Sequence, residues 1–348
     1  MSQREKYAIE IKNVTKIFGP DPQSALDLLK KGKSKAKVQA ETGHVVGIND
    51  VSIHVEPGQV YVVMGLSGSG KSTLIRHVIR LIDPTSGEIY VHGTDVLGMS
   101  LPELREFRRT RIAMVFQKFG LLPHRSVIDN VAYGLEVRGI GKQERRMAAQ
   151  RWIDTVGLSG YEESQPHHLS GGQQQRVGLA RALSMDTDII LMDEAFSALD
   201  PLIRSGMQDE LLKLQAELNK TILFITHDFD EALKIGNRIA ILNDGAVVQE
   251  GRPEDIVLNP TDPHVEQFVA DVNKARAIHV HTIMDVDVSE SCEFSVPDTA
   301  RCEDVLPLFA DHEWVGVVDS EGNRVGRISA RRVIKALARY HKAVTTGP

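Results

Sequence analysis

Nine consecutive residues, Gly65, Leu66, Ser67, Gly68, Ser69, Gly70, Lys71, Ser72 and Thr73, have the types and spacing that hold the phosphates of a nucleotide. The glycines let the backbone wrap so that its N–H groups point inward at phosphate oxygens. Lys71 supplies a fixed positive charge, and the Ser72 hydroxyl is placed for a magnesium ion. Further along, Leu169-Ser170-Gly171-Gly172-Gln173 opens a second glycine-rich helix start, which runs on through Arg176, Val177 and Ala180. Its free N–H groups and the positive end of its dipole make a second anion cradle. One γ-phosphate needs one cradle per chain. Ser170 and Gly172 therefore read as serving the nucleotide of another copy, which makes the chain a homodimer around two shared sites.

Four polar residues at strand ends complete the chemistry. Asp188-Ile189-Ile190-Leu191-Met192-Asp193-Glu194 is an apolar strand ending in two carboxylates, at the end where open α/β sheets bind ligands. Asp193 is placed to hold magnesium and Glu194 to polarise the attacking water, a general-base task worth about 10²–10⁴ in rate. Ile222–His227 repeats the design, delivering His227 toward the γ-phosphate, and Gln117, after Ala113-Met114-Val115-Phe116, is a candidate ligand of Mg²⁺ or of water. Each has a plainer reading: a chance glycine-serine turn, acids capping the next helix, a structural histidine, a surface amide. Their occurrence together, in this order, weighs against all four.

Positioning these groups needs strands that alternate with helices. Gln59–Met64 is a short apolar run ended by glycine, after which Leu74, Ile75, Val78, Ile79 and Ile82 recur at helical spacing. Residues 189–192, 222–225 and 239–242 are further buried-type strands, as in a mostly parallel sheet, and Asn243-Asp244-Gly245 is a hairpin turn. Earlier, strands are expected at Tyr7–Val14 and Val51–Val55, separated by a polar, lysine-rich insertion over 19–47 that packs on the outside. Residues 118–168 read as an all-helical insert, with Met147, Ala148, Trp152, Ile153 and Val156 on one face. From Asn273 a small separate α/β piece runs to the C-terminus.

The chain has 348 residues, 42% hydrophobic, with a formal net charge of −6, so nothing global suggests nucleic acid as a partner. Lys30, Lys31, Lys33, Lys35 and Lys37 form the one basic run, read as a solvated face, with anionic headgroups as the alternative. The N-terminus Met1–Lys6 is charged and lacks the apolar core of an export signal, and no apolar run approaches the roughly 20 residues that span a bilayer. Cys292 and Cys302 have no metal-ligand spacing and are expected as reduced thiols. His167-His168 are adjacent, so their side chains are not expected to converge, and His279 and His281 share a strand face without further ligands. Neither pair is read as a metal site.

The set Gly65–Thr73, Gln117, Leu169–Gln173, Asp193-Glu194, Ser197-Ala198-Leu199-Asp200 and His227 resembles the ATP-binding cassette ATPases over roughly residues 7–260. The resemblance implies a RecA-like, mostly parallel α/β core with an antiparallel N-terminal sheet and the all-helical insert. It also implies ATP and Mg²⁺ as ligands, a head-to-tail dimer with Ser170, Gly171, Gly172 and Gln173 acting across the interface and Asp200 near it, and Phe18 stacked on adenine. Gln117 and the helical insert would then couple to a membrane permease, placing the chain peripherally on the cytoplasmic face of the inner membrane. Ser24–Lys33, Val63–Gly70 and Val115–His124 are similar to the glycine betaine/proline-type importer subfamily, which implies ATP-driven uptake of betaine, proline, choline, carnitine or trimethylamine N-oxide, with an extracytoplasmic binding protein. Domains follow as an ATPase over 1–272 and a regulatory region over 273–348, where Thr299–Leu337 resembles a single CBS repeat. Two departures weaken a sensor role there: Arg332 stands where nucleotide-binding repeats usually have an acid, and the chain ends in Thr345-Thr346-Gly347-Pro348. The competing class is a soluble cassette ATPase acting on ribosomes or DNA, which usually has two cassettes or a long coiled coil; this chain has neither.

Overall fold

The computed structural model describes residues 6–117, 120–270, 272–286 and 292–338. Lys118 and Phe119 of the importer-like segment, and the tail Thr345–Pro348, lie outside them. The first strand is longer than its alternation suggested: β1 (Ile9–Phe18) pairs antiparallel with β2 (Val45–Val55), from Ile9 against Val55 to Phe18 against Val45. Between them the lysine-rich insertion folds as two helices, α1 (Pro22–Lys30) and α2 (Lys35–Thr42). Asp21 and Ser34 cap them, and Gly43 at φ +73° ends the second. Ala25, Leu26 and Val38 bury against Ile17 and Val46, so the insertion has a small core of its own.

Chain order continues with β3 (Val60–Met64), α3 (Lys71–Val78), β4 (Ser86–Val91), β5 (Thr94–Asp95), α4 (Leu101–Thr110) and β6 (Ile112–Val115). The helical insert is α5 (Val127–Val131), α6 (Tyr133–Val137) and α7 (Lys142–Thr155), closed by a 3₁₀ turn over Pro166–His168. Its buried face is Ala149, Trp152, Ile153 and Val156. Met147 is 63% exposed, one helical step off the stripe expected to include it. Then come α8 (Gly171–Ser184), β7 (Ile189–Asp193), α9 (Pro201–Leu218), β8 (Thr221–Thr226), α10 (Phe229–Ile235), β9 (Arg238–Asn243) and β10 (Ala246–Gly251).

Two sheets share one core. The antiparallel sheet has the order β2-β1-β4-β5, and the larger sheet has the order β10-β9-β3-β8-β7-β6, with β3–β8, β8–β7 and β7–β6 parallel. Every residue of β3, β7 and β8 is buried, which is why these strands read as unbroken apolar runs. Their order sends Gly65, Asp193 and His227 out of adjacent strand ends. The β9–β10 turn carries Asp244 at φ +46° and Gly245 at φ +76°, as the Asn-Asp-Gly signal requires.

The described residues fall into two compact units. One reaches to His227 and adds Ala240–Val247; the other takes Asp228–Ile239 and the chain from Val248 onward. This division comes earlier than the boundary expected at residue 273. Within the second unit, α11 (Pro253–Leu258), α12 (Pro263–Ala270), α13 (Lys274–Ala277) and α14 (Val280–Ile283) precede a three-stranded sheet, β11 (Ser295–Pro297), β12 (Trp314–Val318) and β13 (Arg324–Ser329), with α15 (Cys302–Val305) and α16 (Ala330–Ala338). Leu258 packs into the same cluster as Val280, Val315 and Val317, and Arg301 donates to the Lys234 carbonyl. Those contacts draw the earlier segments into this unit.

Several expectations change here. His279 caps α14 and His281 lies within it, so the pair sits on a helical turn and not on a strand; their rings stack with centroids 5.7 Å apart. The His167 and His168 rings do approach within the 3₁₀ turn, with centroids 4.0 Å apart and planes tilted by 56°. Among the described residues no group of three or more His, Cys, Asp or Glu is arranged for a metal. Both cysteines are free thiols, and burial pushes Cys302 up to about 12. Arg332 is engaged structurally, donating to the Ile283 and Met284 carbonyls at 3.0 and 2.6 Å.

Candidate functional site

The loop between β3 and α3 is shaped by glycines that no other residue can replace. Gly65 has φ +152°, and a Cβ there would lie 2.1 Å from the Leu242 carbonyl oxygen; Gly70 has φ +103° and abuts the Gly47 carbonyl. The hairpin turn braces the loop from the side, with Gly245 N–H donating to the Ser69 carbonyl at 3.1 Å. Lys71 is 4% exposed, and its Nζ donates to the Gly65 and Leu66 carbonyls at 2.7 and 2.9 Å. Burial pulls its pKa below the ordinary lysine value, against the opposing charges of Glu194 and Asp193.

Ser72 Oγ donates to Asp193 Oδ1 at 2.8 Å, joining the first turn of α3 to the end of β7. The other Asp193 oxygen, Oδ2, is buried and takes no hydrogen bond; its neighbouring cation is Arg76, 3.6 Å away. A carboxylate oxygen this enclosed and unpartnered, beside a serine hydroxyl, suits a hard divalent cation, so the residues present fit magnesium. Desolvation raises the Asp193 pKa, with the Ser72 hydrogen bond and Arg76 opposing it.

Glu194 stands at φ +49°, the left-handed region that a non-glycine residue keeps only when its surroundings hold it. Its N–H donates to the Ile225 carbonyl at 3.0 Å, and Gln117 Nε2 donates to Oε2 at 2.8 Å. His227 Nδ1 lies 3.5 Å from Oε1, with its side chain 57% exposed. Ser72 thus meets Asp193, Gln117 and His227 meet Glu194, and the Lys71 ammonium lies near enough for both acids to act on its charge. Chemically, such an arrangement can supply a cation for anionic oxygens, an oxygen pair for a divalent cation, and a carboxylate held by an amide with an imidazole beside it, the set that general-base hydrolysis of a phosphate needs.

The remaining predicted residues lie outside that hydrogen-bonded cluster. Ser170 and Gln173 form a reciprocal capping box at the start of α8, Gln173 N–H to Ser170 Oγ at 3.2 Å and Ser170 N–H to Gln173 Oε1 at 2.9 Å. Ser170 and Gly171 are exposed and Gly172 is half-buried, so the second cradle faces outward. Asp200 caps α9 through the Ile203 N–H at 3.1 Å. Phe18 is 40% exposed, with Lys16 Nζ 5.2 Å from its ring centroid. Ser67 is exposed and Thr73 half-buried on the phosphate loop.

Two supporting residues were not legible in the motifs. Gln175 is buried and hydrogen-bonds both the Glu194 carbonyl and the Ala198 N–H; its signal was a polar residue on the face of α8 that also carries Leu179 and Ala182. Lys35 breaks the uniform reading of the lysine run. Its Nζ donates to the Asp244 carbonyl at 2.8 Å and lies 3.0 Å from that residue's carboxylate, tying the insertion to the turn that braces Ser69. Lys33 pairs with Glu41, while Lys30, Lys31 and Lys37 are exposed.

The ABC transporter family model matches residues 48–197. A glycine betaine/proline betaine transport system ATP-binding protein of Salmonella typhimurium is 53% identical over 328 residues, 93% of this chain and 78% of that protein. A trimethylamine N-oxide transport system ATP-binding protein of Ruegeria pomeroyi is 48% identical over 324 residues, covering 90% of this chain and 95% of its own. Among solved structures, a dimeric post-hydrolysis state of an ATP-binding cassette bound to ADP and Pi superposes with a TM-score of 0.61 at 33% identity, over 70% of this chain and 98% of that one.

Proposed function

The chain belongs to the ATP-binding cassette transporter family, and from that premise we propose that it is the ATP-hydrolysing subunit of an importer for a methylated amine, working as a pair of copies beneath a membrane permease. The observation that carries the reading is the cluster at the ends of β3, β7 and β8, where Lys71, Ser72, Asp193, Glu194 and His227 converge with Gln117. Lys71 and the loop N–H groups bind the β- and γ-phosphates of ATP, and Glu194 takes the proton of the attacking water while Gln117 and His227 fix its carboxylate. Ser72 and Asp193 would hold Mg²⁺, which would supply positive charge against the phosphates. Ser170 and Gly172, exposed on the chain that carries them, close the site of the other copy; the dimeric cassette relative supports this pairing.

Asp193 yields a check on the metal. Its pKa is raised on folding, so its contribution favours the folded chain at low pH and is lost as pH rises through the raised value. Near neutral pH it therefore destabilises the protein wherever no cation compensates it. Asp193→Asn is expected to raise the Tm of the nucleotide-free chain by roughly 2–4 °C, about 1 kcal/mol, and to abolish the further rise that Mg²⁺ adds to ATP. A lowered Tm with an intact Mg²⁺ response, read by differential scanning fluorimetry, would remove Asp193 from the metal site.

No described helix is long and apolar enough to cross a membrane, and the proposal gives the spanning part to a separate membrane subunit. A groove of about 740 Å³ is lined by Leu81, Phe116, Tyr133 and Met185 together with Arg105 and Arg109, and it suits an amphipathic helix of that subunit. The location is then the cytoplasmic face of the membrane. The names of the relatives support glycine betaine, proline betaine or trimethylamine N-oxide as cargo, with choline, carnitine and proline in the same chemical range, delivered by a binding protein outside the cell. The test is ATP hydrolysis by the complete complex in lipid, screened over these solutes with the binding protein present. At least one solute should stimulate turnover severalfold, and turnover indifferent to all of them would overturn the substrate class.

A further inference from the structure

Helix α8 meets the catalytic strand end at one buried amide. Gln175 is 2% exposed and uses both ends of its side chain: Nε2 donates to the Glu194 carbonyl at 3.1 Å, and Oε1 accepts from Ala198 N–H at 3.1 Å. These partners permit one orientation of the amide, since a carbonyl only accepts and an N–H only donates. One turn earlier, Gly172 lies against the same segment, where a Cβ would stand 3.2 Å from Leu199 Cδ2. The outward-facing start of α8 and the segment Glu194–Leu199 are therefore fastened at two points.

The fastening falls where the backbone needs it. Glu194 holds φ +49°, and its carbonyl also accepts from Ser197, from Oγ at 3.0 Å and from the backbone N–H at 3.3 Å. Without Gln175 the Ala198 N–H loses its side-chain acceptor, and the left-handed Glu194 loses one of the contacts that keep it there. The carboxylate would then leave the position in which Gln117 holds it.

We propose that Gln175 is a positioning residue that makes α8 and Glu194–Ala198 move as one body, so that a phosphate engaged at Ser170–Gly172 sets the Glu194 carboxylate in the same chain's own site. The two ATP sites of a dimer are then coupled through each chain's α8, and the inference rests on the shared-site reading above. Gln117 and His227 orient the carboxylate locally; Gln175 reports to it whether the neighbouring site is filled.

The test uses the full-length chain with Mg-ATP. Gln175→Met keeps length and apolar packing but removes both hydrogen bonds, and Gln175→Glu keeps the acceptor for Ala198 while losing the donor to Glu194. Gln175→Met should lower kcat about 10- to 100-fold, leave the Kd for ATP within about twofold, and flatten the cooperative dependence of rate on ATP; Gln175→Glu should fall between it and the wild type. A folded Gln175→Met protein with kcat within about twofold of wild type and unchanged cooperativity would overturn the proposal. A loss of ATP affinity matching the loss of kcat would also overturn it, by making the role merely structural. If Gln175→Met does not fold, Gln175→Glu carries the same criteria. Sedimentation of Glu194→Gln and of Glu194→Gln/Gln175→Met with ATP separates the two layers. Both should dimerise; a monomeric Glu194→Gln protein would sink the shared-site reading itself, whereas a dimeric one beside wild-type turnover in Gln175→Met would sink the positioning role alone.

Discussion

Glu194→Gln is expected to lower ATP turnover by about 10²–10⁴ while leaving ATP affinity near that of the wild type. The substitution changes basicity and little else. The side chain stays isosteric, the backbone hydrogen bond from Glu194 N–H to Ile225 is untouched, and Gln117 still finds an oxygen to meet its Nε2. What disappears is the carboxylate proposed to take a proton from water, a role Asp193 cannot fill because it is occupied by Ser72 on one oxygen and enclosed on the other. With hydrolysis blocked and binding intact, the copies should accumulate as an ATP-bound dimer, visible by size-exclusion chromatography. Turnover within tenfold of wild type would move the base elsewhere, and His227 would then be the next candidate.

Lys71→Met should act one step earlier, on binding. Lys71 is the one cation in the cluster that reaches the carbonyls lining the phosphate loop, and removing a fixed charge of this kind costs about 10²–10³ in rate. ATP affinity should fall at least tenfold as well, measured by titration with a fluorescent analogue. The folded state should tolerate the change. Burial already pulls the Lys71 pKa down, so replacing a desolvated ammonium with an apolar chain of similar length removes a cost along with its hydrogen bonds. A variant that binds ATP normally would show that the loop's N–H groups suffice alone, and one that fails to fold would show that Lys71 chiefly shields Asp193 and Glu194 from each other.

How much of this was legible in the sequence varied with how local the cause was. Strands β3, β7 and β8 are buried on both faces and so read as apolar runs, and the polar residue ending each run could be assigned a role from its position alone. The Asn243–Gly245 turn was equally plain, because positive φ at two successive positions leaves few residue choices. The left-handed Glu194 was not legible, since its conformation is imposed by Ile225 and Gln175, which are distant in sequence. Lys35 was hidden in a run of lysines, and what distinguishes it is a partner more than two hundred positions away. In the C-terminal half, contacts of Leu258 and Lys234 were hidden for the same reason, since they belong to a core and a contact made by residues that follow much later.

The central claim is that the phosphate loop of one copy and the Ser170–Gly172 helix start of another make a single site, and mixing two inactive variants tests it most directly. Ser170→Arg blocks only the cradle a chain lends, and Lys71→Met disables only the loop it keeps. Each variant alone should be inactive. In an equal mixture half of the dimers pair the two, and each such dimer holds one intact site, so the mixture should recover turnover well above either variant, with about a quarter of the wild-type value as the ceiling for independent sites and a lower value where coupling through Gln175 holds the lone site back. Recovery of ATPase activity on mixing is the predicted result; a mixture as inactive as its components would mean that both groups act within one chain, and would contradict the shared site.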